Sequence, residues 1–365
     1  MHYDAIIVGA SFAGLSAAAQ LRGKRVLLID RKPIGTGQTS ACGTILEVLE
    51  SLDALDAVLQ VHDKIVVHVA GRRIDYPLAY PFCTFDYERL CRILEERNDA
   101  EFLLARALGL DRDAVVTIDR TFRAVCLIDA SGWRAVLAGP NSNLPSGERM
   151  SFGIETVREY REDGLHFWYD PDWLIPKGVT WLFPCGGFSR IGAGSYVGDT
   201  KLRYHLGAFL ERFDLSPDGL HGGYFPHALR RGTTGHVFLA GDAAGQCLGV
   251  TGEGIRTALY FGQAAGRTVR RVLDGQLSLD EGLAEYSRFV ERHRIFYQTL
   301  LVIQQTLVNL PVPVVKAIIG IIHWPPILRS VMRAYKRAFD PARLAVSKDY
   351  EPSNALGEWQ GVCDA

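Results

Sequence analysis

The sequence predicts an α/β fold: a Rossmann-like parallel sheet, interrupted by an inserted antiparallel β-sheet and followed by a C-terminal helical region. Three observations predict it. Residues 3–30 read as strand, helix, strand with almost no linker. Residues 150–231 change to short aromatic, strand-like pieces, and an apolar strand of the first kind returns at 236–242. The 365 residues suffice for two or three packed units.

The elements follow in order. YDAIIV (3–8) and RVLLID (25–30) are apolar runs of the kind buried in parallel sheets, and FAGLSAAAQLR (12–22) is a small-residue helix between them. Residues 62–79 alternate apolar and polar about a Gly-Arg turn, predicting an antiparallel hairpin. Residues 85–98 place Leu90, Ile93 and Leu94 on one side of a helix. A second hairpin leading into a buried strand is expected over 114–129, a helix over 252–274, and further helices from about 280. The expected division is a discontinuous nucleotide-binding unit (1–61, 84–149 and 232–290), a second unit (62–83 and 150–231), and a helical region (291–365).

Composition removes several classes of function. Forty Lys and Arg against 41 Asp and Glu give no polyanion-binding field, so nucleic acid is not an expected partner. Seven scattered cysteines, never spaced CxxC, argue against a disulfide framework and a zinc site and for a reducing, cytoplasmic setting. His166, His205, His221 and His227 lack metal-ligand spacing and read as core or surface histidines. The N-terminus lacks the basic and long apolar segments of a signal peptide. The apolar stretch 310–328 is broken by Lys316, His323 and four prolines, too interrupted to span a bilayer.

IIVGASFAG (6–14) carries Gly9, Ser11 and Gly14 between strand and helix. The first glycine of such a loop makes the turn and the last lets helix and strand pack closely. The middle position faces a pyrophosphate, and here it is Ser11. Phe12 and Ala13 open the helix, whose unpaired N–H groups favour anions. Asp30, about twenty residues beyond Gly9 and followed by Arg31, stands where a carboxylate accepts ribose hydroxyls and disfavours a 2′-phosphate, so FAD or NAD fits better than NADP. The competing reading is a helix start made small for packing alone.

GDAAGQCLGVTGEGI (241–255) is a second glycine-rich loop between a strand and a helix. Asp242 at the strand end can accept a ribityl hydroxyl, and Gly252–Gly254 admits a flat ring against the backbone. This stretch resembles the second FAD motif of the p-hydroxybenzoate hydroxylase-like flavoproteins, and specifically that of the geranylgeranyl reductase family. LIDASG (127–132), SACGTIL (40–46) and TWLFPCGG (180–187) are similar to three further motifs of that family, in the same order. Two departures stand out: Phe82 replaces an arginine common before the F-D helix start, and Val179 or Thr180 falls where a tyrosine is usual.

The resemblance implies a Rossmann-like FAD-binding domain with an inserted antiparallel β-sheet substrate domain. Carried over by position, the FAD contacts are Gly9, Ser11, Phe12, Ala13, Gly14, Asp30, Arg31, Cys42, Gly43, Ala107, Gly241, Asp242, Gly252, Gly254 and Ile255. Trp181, Phe183 and Pro184 would line the substrate pocket, with Trp173 either joining them or lying in the core. Cys42 reads either as a thiol acting beside the flavin or as a small buried residue. The implied reaction is hydride transfer from reduced flavin to a carbon–carbon double bond of an isoprenoid, a lipophilic substrate. With no second βαβ fingerprint, electrons would come from NADPH or a ferredoxin-like electron-donor protein. A flavin monooxygenase or halogenase is the alternative, although the WLFP motif has one tryptophan and Lys177 is the one lysine nearby. A cyclase acting without net redox change is a third reading. The basic runs 292–296 and 333–339 read as solvated helix faces or as contacts to anionic lipid, giving peripheral membrane association.

Overall fold

A computed structural model describes residues 2–139, 150–169, 177–340 and 342. The chain opens with β1 (His2–Val8), α1 (Phe12–Ala19) and β2 (Val26–Asp30). Next come β3 (Gly43–Ile45), α2 (Leu46–Ser51), β4 (Val58–Val69), β5 (Arg72–Phe85) and α3 (Tyr87–Glu95). Strands β6 (Glu101–Leu104), β7 (Ala107–Asp111), β8 (Ala114–Thr117) and β9 (Thr121–Asp129) follow. The middle of the chain holds β10 (Met150–Arg158), β11 (Leu165–Trp168), β12 (Gly178–Cys185), β13 (Phe188–Ser195), α4 (Arg203–Glu211) and β14 (His221–Pro226). It ends with β15 (Thr233–Thr234), β16 (Val237–Leu239), α5 (Ile255–Leu273), α6 (Leu279–Glu291), α7 (Arg294–Leu307), α8 (Val312–Ile322) and α9 (Pro325–Ala338).

Two sheets result. The first runs β15-β16-β9-β1-β2-β6, with β1 parallel to both β2 and β9, which explains why 3–8 and 25–30 are apolar throughout. The second runs β14-β10-β13-β12-β11-β4-β5-β3. It is antiparallel except where β11 lies parallel to β4, a pairing the expected all-antiparallel sheet did not contain. The hairpin over 62–79 is present but longer, because β4 and β5 together span Val58 to Phe85. β3 also joins the second sheet, through Gly43–Thr84 pairing.

Helix α5 lies directly on α1. A Cβ at Gly262 would stand 2.3 Å from the Ala13 carbonyl, and one at Gly266 2.5 Å from that of Ala17. Small residues four apart on both helices therefore allow backbone-to-backbone contact, and the starts of the two helices are drawn together. Helix α4 covers the other side of the second sheet, where Phe209 and Leu206 pack with Leu182, Ile191 and Trp168. The two basic runs are solvated in part: Arg292, Arg333 and Arg337 are exposed. His293 and Phe339 are buried, and Lys336 pairs with Glu47. Among the described residues no single helix is long and apolar enough to cross a membrane; α8 and α9 pass that test only together, bent by 87°.

Candidate active site

The first loop is built by backbone packing. Gly9 has φ +108°, and a Cβ there would stand 2.1 Å from the carbonyl oxygen of Ala130. A Cβ at Gly14 would fall 1.8 Å from the Gly9 carbonyl, so the helix rests on its own turn. No side chain caps α1, because the Ser11 hydroxyl turns away to that of Tyr87 at 3.0 Å. The positive end of α1 is thereby left for an anion. The Asp30 carboxylate accepts the Ala10 N–H at 2.7 Å and the Lys32 N–H at 3.2 Å, fixing it at the mouth of the loop, while Arg31 beside it is exposed. Ala107 sits on β7 and packs toward Val115 and Phe122.

The LIDASG segment closes over this loop. Asp129 is fully buried and accepts four hydrogen bonds from Ser131, Leu137 and Ala138, three from backbone N–H groups and one from the Ser131 hydroxyl at 2.6 Å. That pattern holds Ala130 against Gly9.

The second loop arrives from β16 as a short 3₁₀ turn, Gly241–Ala244. A Cβ at Gly241 would stand 3.0 Å from the Ala13 Cβ, so the two glycine-rich loops touch. Gln246 accepts the Gly241 N–H at 2.6 Å. Gly249 packs on the Leu300 carbonyl of α7, whose Gln304 accepts the Val250 N–H at 2.8 Å. Beyond it the packing stops. At Gly252 (φ +65°) the first atom met is Phe225 at 3.9 Å, and at Gly132 nothing among the described residues lies within 4 Å. Helix α5 begins at Ile255, with Gly254 in the cap position and no side-chain cap. Burial raises the Asp242 carboxyl to about 6, against the opposing charge of Arg230.

Two arginines that sequence reasoning missed hold these loops. Arg230 donates to the carbonyls of Ala243 at 3.1 Å and Trp133 at 3.0 Å, bridging the second loop to the LIDASG segment. Arg256 is fully buried behind Gly252–Gly254; it donates to Glu253 at 2.9 and 2.8 Å and caps α9 through the carbonyls of Tyr335 and Phe339. The Tyr335 hydroxyl also bonds Glu253, so the C-terminal helix is fastened to the loop. Phe82, at the departed arginine position, stacks on Tyr80 and Tyr335 instead.

The second sheet meets both loops. Phe183 comes within 3.4 Å of where a Gly43 Cβ would stand, and the Tyr196 hydroxyl donates to the Val250 carbonyl at 2.9 Å. Trp181 and Phe183 share one face of β12, and Pro184 accepts the Thr84 hydroxyl at 2.6 Å. Trp173 lies outside the described residues. Cys42 is buried in a left-handed turn (φ 53°), its thiol bonded to the Ser40 carbonyl at 3.4 Å. Burial pushes that thiol far above its ordinary value, which disfavours the thiolate. This favours the second of the two readings of Cys42. The six described cysteines are all free and buried.

This arrangement has named counterparts. Digeranylgeranylglycerophospholipid reductase 3 of Methanosphaera stadtmanae is 26% identical over 337 residues, covering 80% of this chain and 83% of its own. Geranylgeranyl diphosphate reductase of Rhodobacter capsulatus is 25% identical, covering 83% and 84%. Over most of its length the chain is similar to proteins named as geranylgeranyl reductases. The fold agrees: a geranylgeranyl bacteriochlorophyll reductase-like protein of Thermoplasma acidophilum superposes with a TM-score of 0.78 at 18% identity, over 92% of this chain and 97% of that one. Flavin-dependent halogenases and a probable FAD-dependent monooxygenase share the fold at TM-scores of 0.62 to 0.65. No family model matches.

Proposed function

We propose that this chain is an FAD-dependent oxidoreductase that saturates carbon–carbon double bonds of a prenyl-type lipophilic substrate. The observation that carries the reading is the meeting of two loops and one apolar face. The first loop leaves an uncapped helix end beside an ordered carboxylate, the second leaves open backbone at Gly252, and the aromatic face of β12 reaches Gly43 beside them. A flavin dinucleotide fits this donor set. Gly9–Gly14 and the α1 N-terminus would take its pyrophosphate, Asp30 its ribose, Asp242 its ribityl chain, and Gly252–Gly254 its ring edge.

When bound, such a group supplies hydride chemistry that no side chain can. The chain's own task is placement. An isolated alkene is barely polarised, so Trp181 and Phe183 serve as apolar walls that orient it and exclude water. The relatives named as reductases support reduction over the oxygenase alternative, which the shared fold alone would also allow.

Electrons are proposed to come from NADPH or a ferredoxin-like carrier. The division into a cofactor unit (1–61, 84–149, 232–290) and a substrate unit (62–83, 150–231) is proposed on the same grounds. We also propose that α8 and α9 rest on an anionic lipid surface. Helix α8 buries none of its residues, Ile321 and Trp324 are exposed, and between Glu291 and Asp340 there are seven Lys or Arg and no acid.

The test is spectroscopic. Purified protein is expected to carry FAD and, once photoreduced without oxygen, to be reoxidised by a geranylgeranyl-bearing lipid. Reoxidation by oxygen alone, with oxygen built into the product, would establish the monooxygenase instead. Asp242→Ala is expected to weaken FAD binding by about 2 kcal/mol, roughly thirtyfold, in a fluorescence titration; unchanged affinity removes Asp242 from the site.

A further inference from the structure

Glu155 is one of few buried carboxylates, 2% exposed on β10, and it stands on the face that carries Trp181 and Phe183. The ladder register shows why. Glu155 pairs with Gly192 of β13 and His221 of β14, and Gly192 pairs with Trp181 of β12, so all four share one side of the sheet. Arg190 joins them as the partner of Phe183.

The contacts converge on one side chain. Glu155 Oε1 accepts from Arg190 Nη1 at 3.3 Å and from His221 Nε2 at 3.0 Å, while Oε2 accepts from Trp181 Nε1 at 3.3 Å. The Arg190 guanidinium and the His221 imidazole compensate the buried carboxylate, which a lone indole N–H could not do. The bond to Glu155 holds His221 above its ordinary pKa, although burial opposes it. The cluster also lies within electrostatic reach of Cys42: against the dominant effect of burial, Arg190 lowers that thiol and Glu155 raises it.

Trp181 lies on a bed of glycines. A Cβ at Gly192 would stand 2.2 Å from the indole Cζ2, one at Gly194 3.2 Å from Cζ3, and one at Gly153 3.4 Å from Cη2. The bed fixes the plane of the ring and leaves its direction within that plane free. The bond to Glu155 removes that freedom. A tryptophan serving only as filler would need neither three bare backbone positions nor a compensated carboxylate.

We propose that Glu155 is a positioning residue: it locks the Trp181 indole flat on the glycine bed and so fixes the shape of the aromatic face of β12 that Phe183 extends to Gly43. That shape decides how far along a prenyl chain the reacting double bond is presented. The part that concerns substrate rests on the reductase reading; the part that concerns the ring does not.

The experiment has two arms, near-UV circular dichroism and product analysis, on Glu155→Leu, Glu155→Gln and Gly192→Ala, with Trp181→Phe supplying the Trp181 band by difference. Glu155→Gln keeps an acceptor and is expected to keep the band; Glu155→Leu and Gly192→Ala are expected to lose most of it. With a prenyl substrate, the latter two are expected to raise KM about tenfold and shift which double bonds are reduced, with flavin content unchanged. A wild-type band in Glu155→Leu overturns the proposal whatever the activity. If that variant does not fold, an unchanged band in Gly192→Ala overturns it equally. A lost band in the variants, with no turnover of any prenyl substrate by the unaltered protein, supports the positioning role and contradicts the reductase reading alone.

Discussion

Two groups of glycines in this molecule look alike in sequence and do opposite things. Around the first loop the missing side chains are replaced by backbone: the Ala130 carbonyl at Gly9, the Gly9 carbonyl at Gly14, the Ala13 and Ala17 carbonyls at Gly262 and Gly266. On the second sheet the nearest atoms above Gly192, Gly194 and Gly153 belong to one side chain, the ring of Trp181, although a Cβ at Gly192 would also stand 2.7 Å from the Ile154 carbonyl. Backbone cannot retreat without moving a strand or a helix, whereas an indole can rotate. The first group is thus held by backbone, and the second largely by a side chain whose direction the bond to Glu155 sets.

That comparison can be broken in graded ways. The largest effect is expected at the fastening of the second loop. Arg256→Leu leaves Glu253 buried without its cationic partner and should cost about 3–5 kcal/mol in chemical denaturation. Gly14→Ala forces a Cβ onto a carbonyl that cannot move, and should cost about 3 kcal/mol and abolish FAD binding. Gly194→Ala meets the ring first, at 3.2 Å, with backbone no nearer than 3.8 Å, so it should cost about 1 kcal/mol with FAD retained. Equal losses from Gly14→Ala and Gly194→Ala would end the distinction between the two groups.

A pH titration sharpens the same contrast, because the second sheet carries neutral histidines along β4. Burial lowers His62 and His68 to about 4. The unfolded chain takes up these protons near the ordinary histidine value, so it binds more protons than the folded one between about 4 and 6.5. Stability should therefore fall as pH drops through that window, by about 2 kcal/mol for the fully buried His62. His62→Gln should flatten that part of the curve, read by urea midpoints at successive pH values.

The parallel unit was legible in the sequence because its signals are local. Two apolar runs, a small-residue helix between them and the order of the motifs are each contained in a few consecutive residues. The second sheet was legible only as texture. Its parallel β11–β4 pair joins segments about a hundred residues apart, which no window of sequence reports. Glu155, Arg190 and His221 escaped for the same reason: each is an isolated polar residue until strand register places it beside Trp181. His221 was accordingly read as an ordinary histidine. Arg256 and Arg230 were hidden differently, since one follows the motif directly and the other precedes β15, and only the folded chain shows which carbonyls they hold. Gly249 needed α7 beside it before its missing side chain had a cause.

The most direct test of the central claim is the mass of the product. Incubated without oxygen, with the protein reduced chemically and a geranylgeranyl-bearing lipid as acceptor, the account predicts a lipid that gains two hydrogens for each double bond consumed and no oxygen. A lipid recovered unchanged without oxygen, and carrying an added oxygen atom when air is admitted, would contradict it.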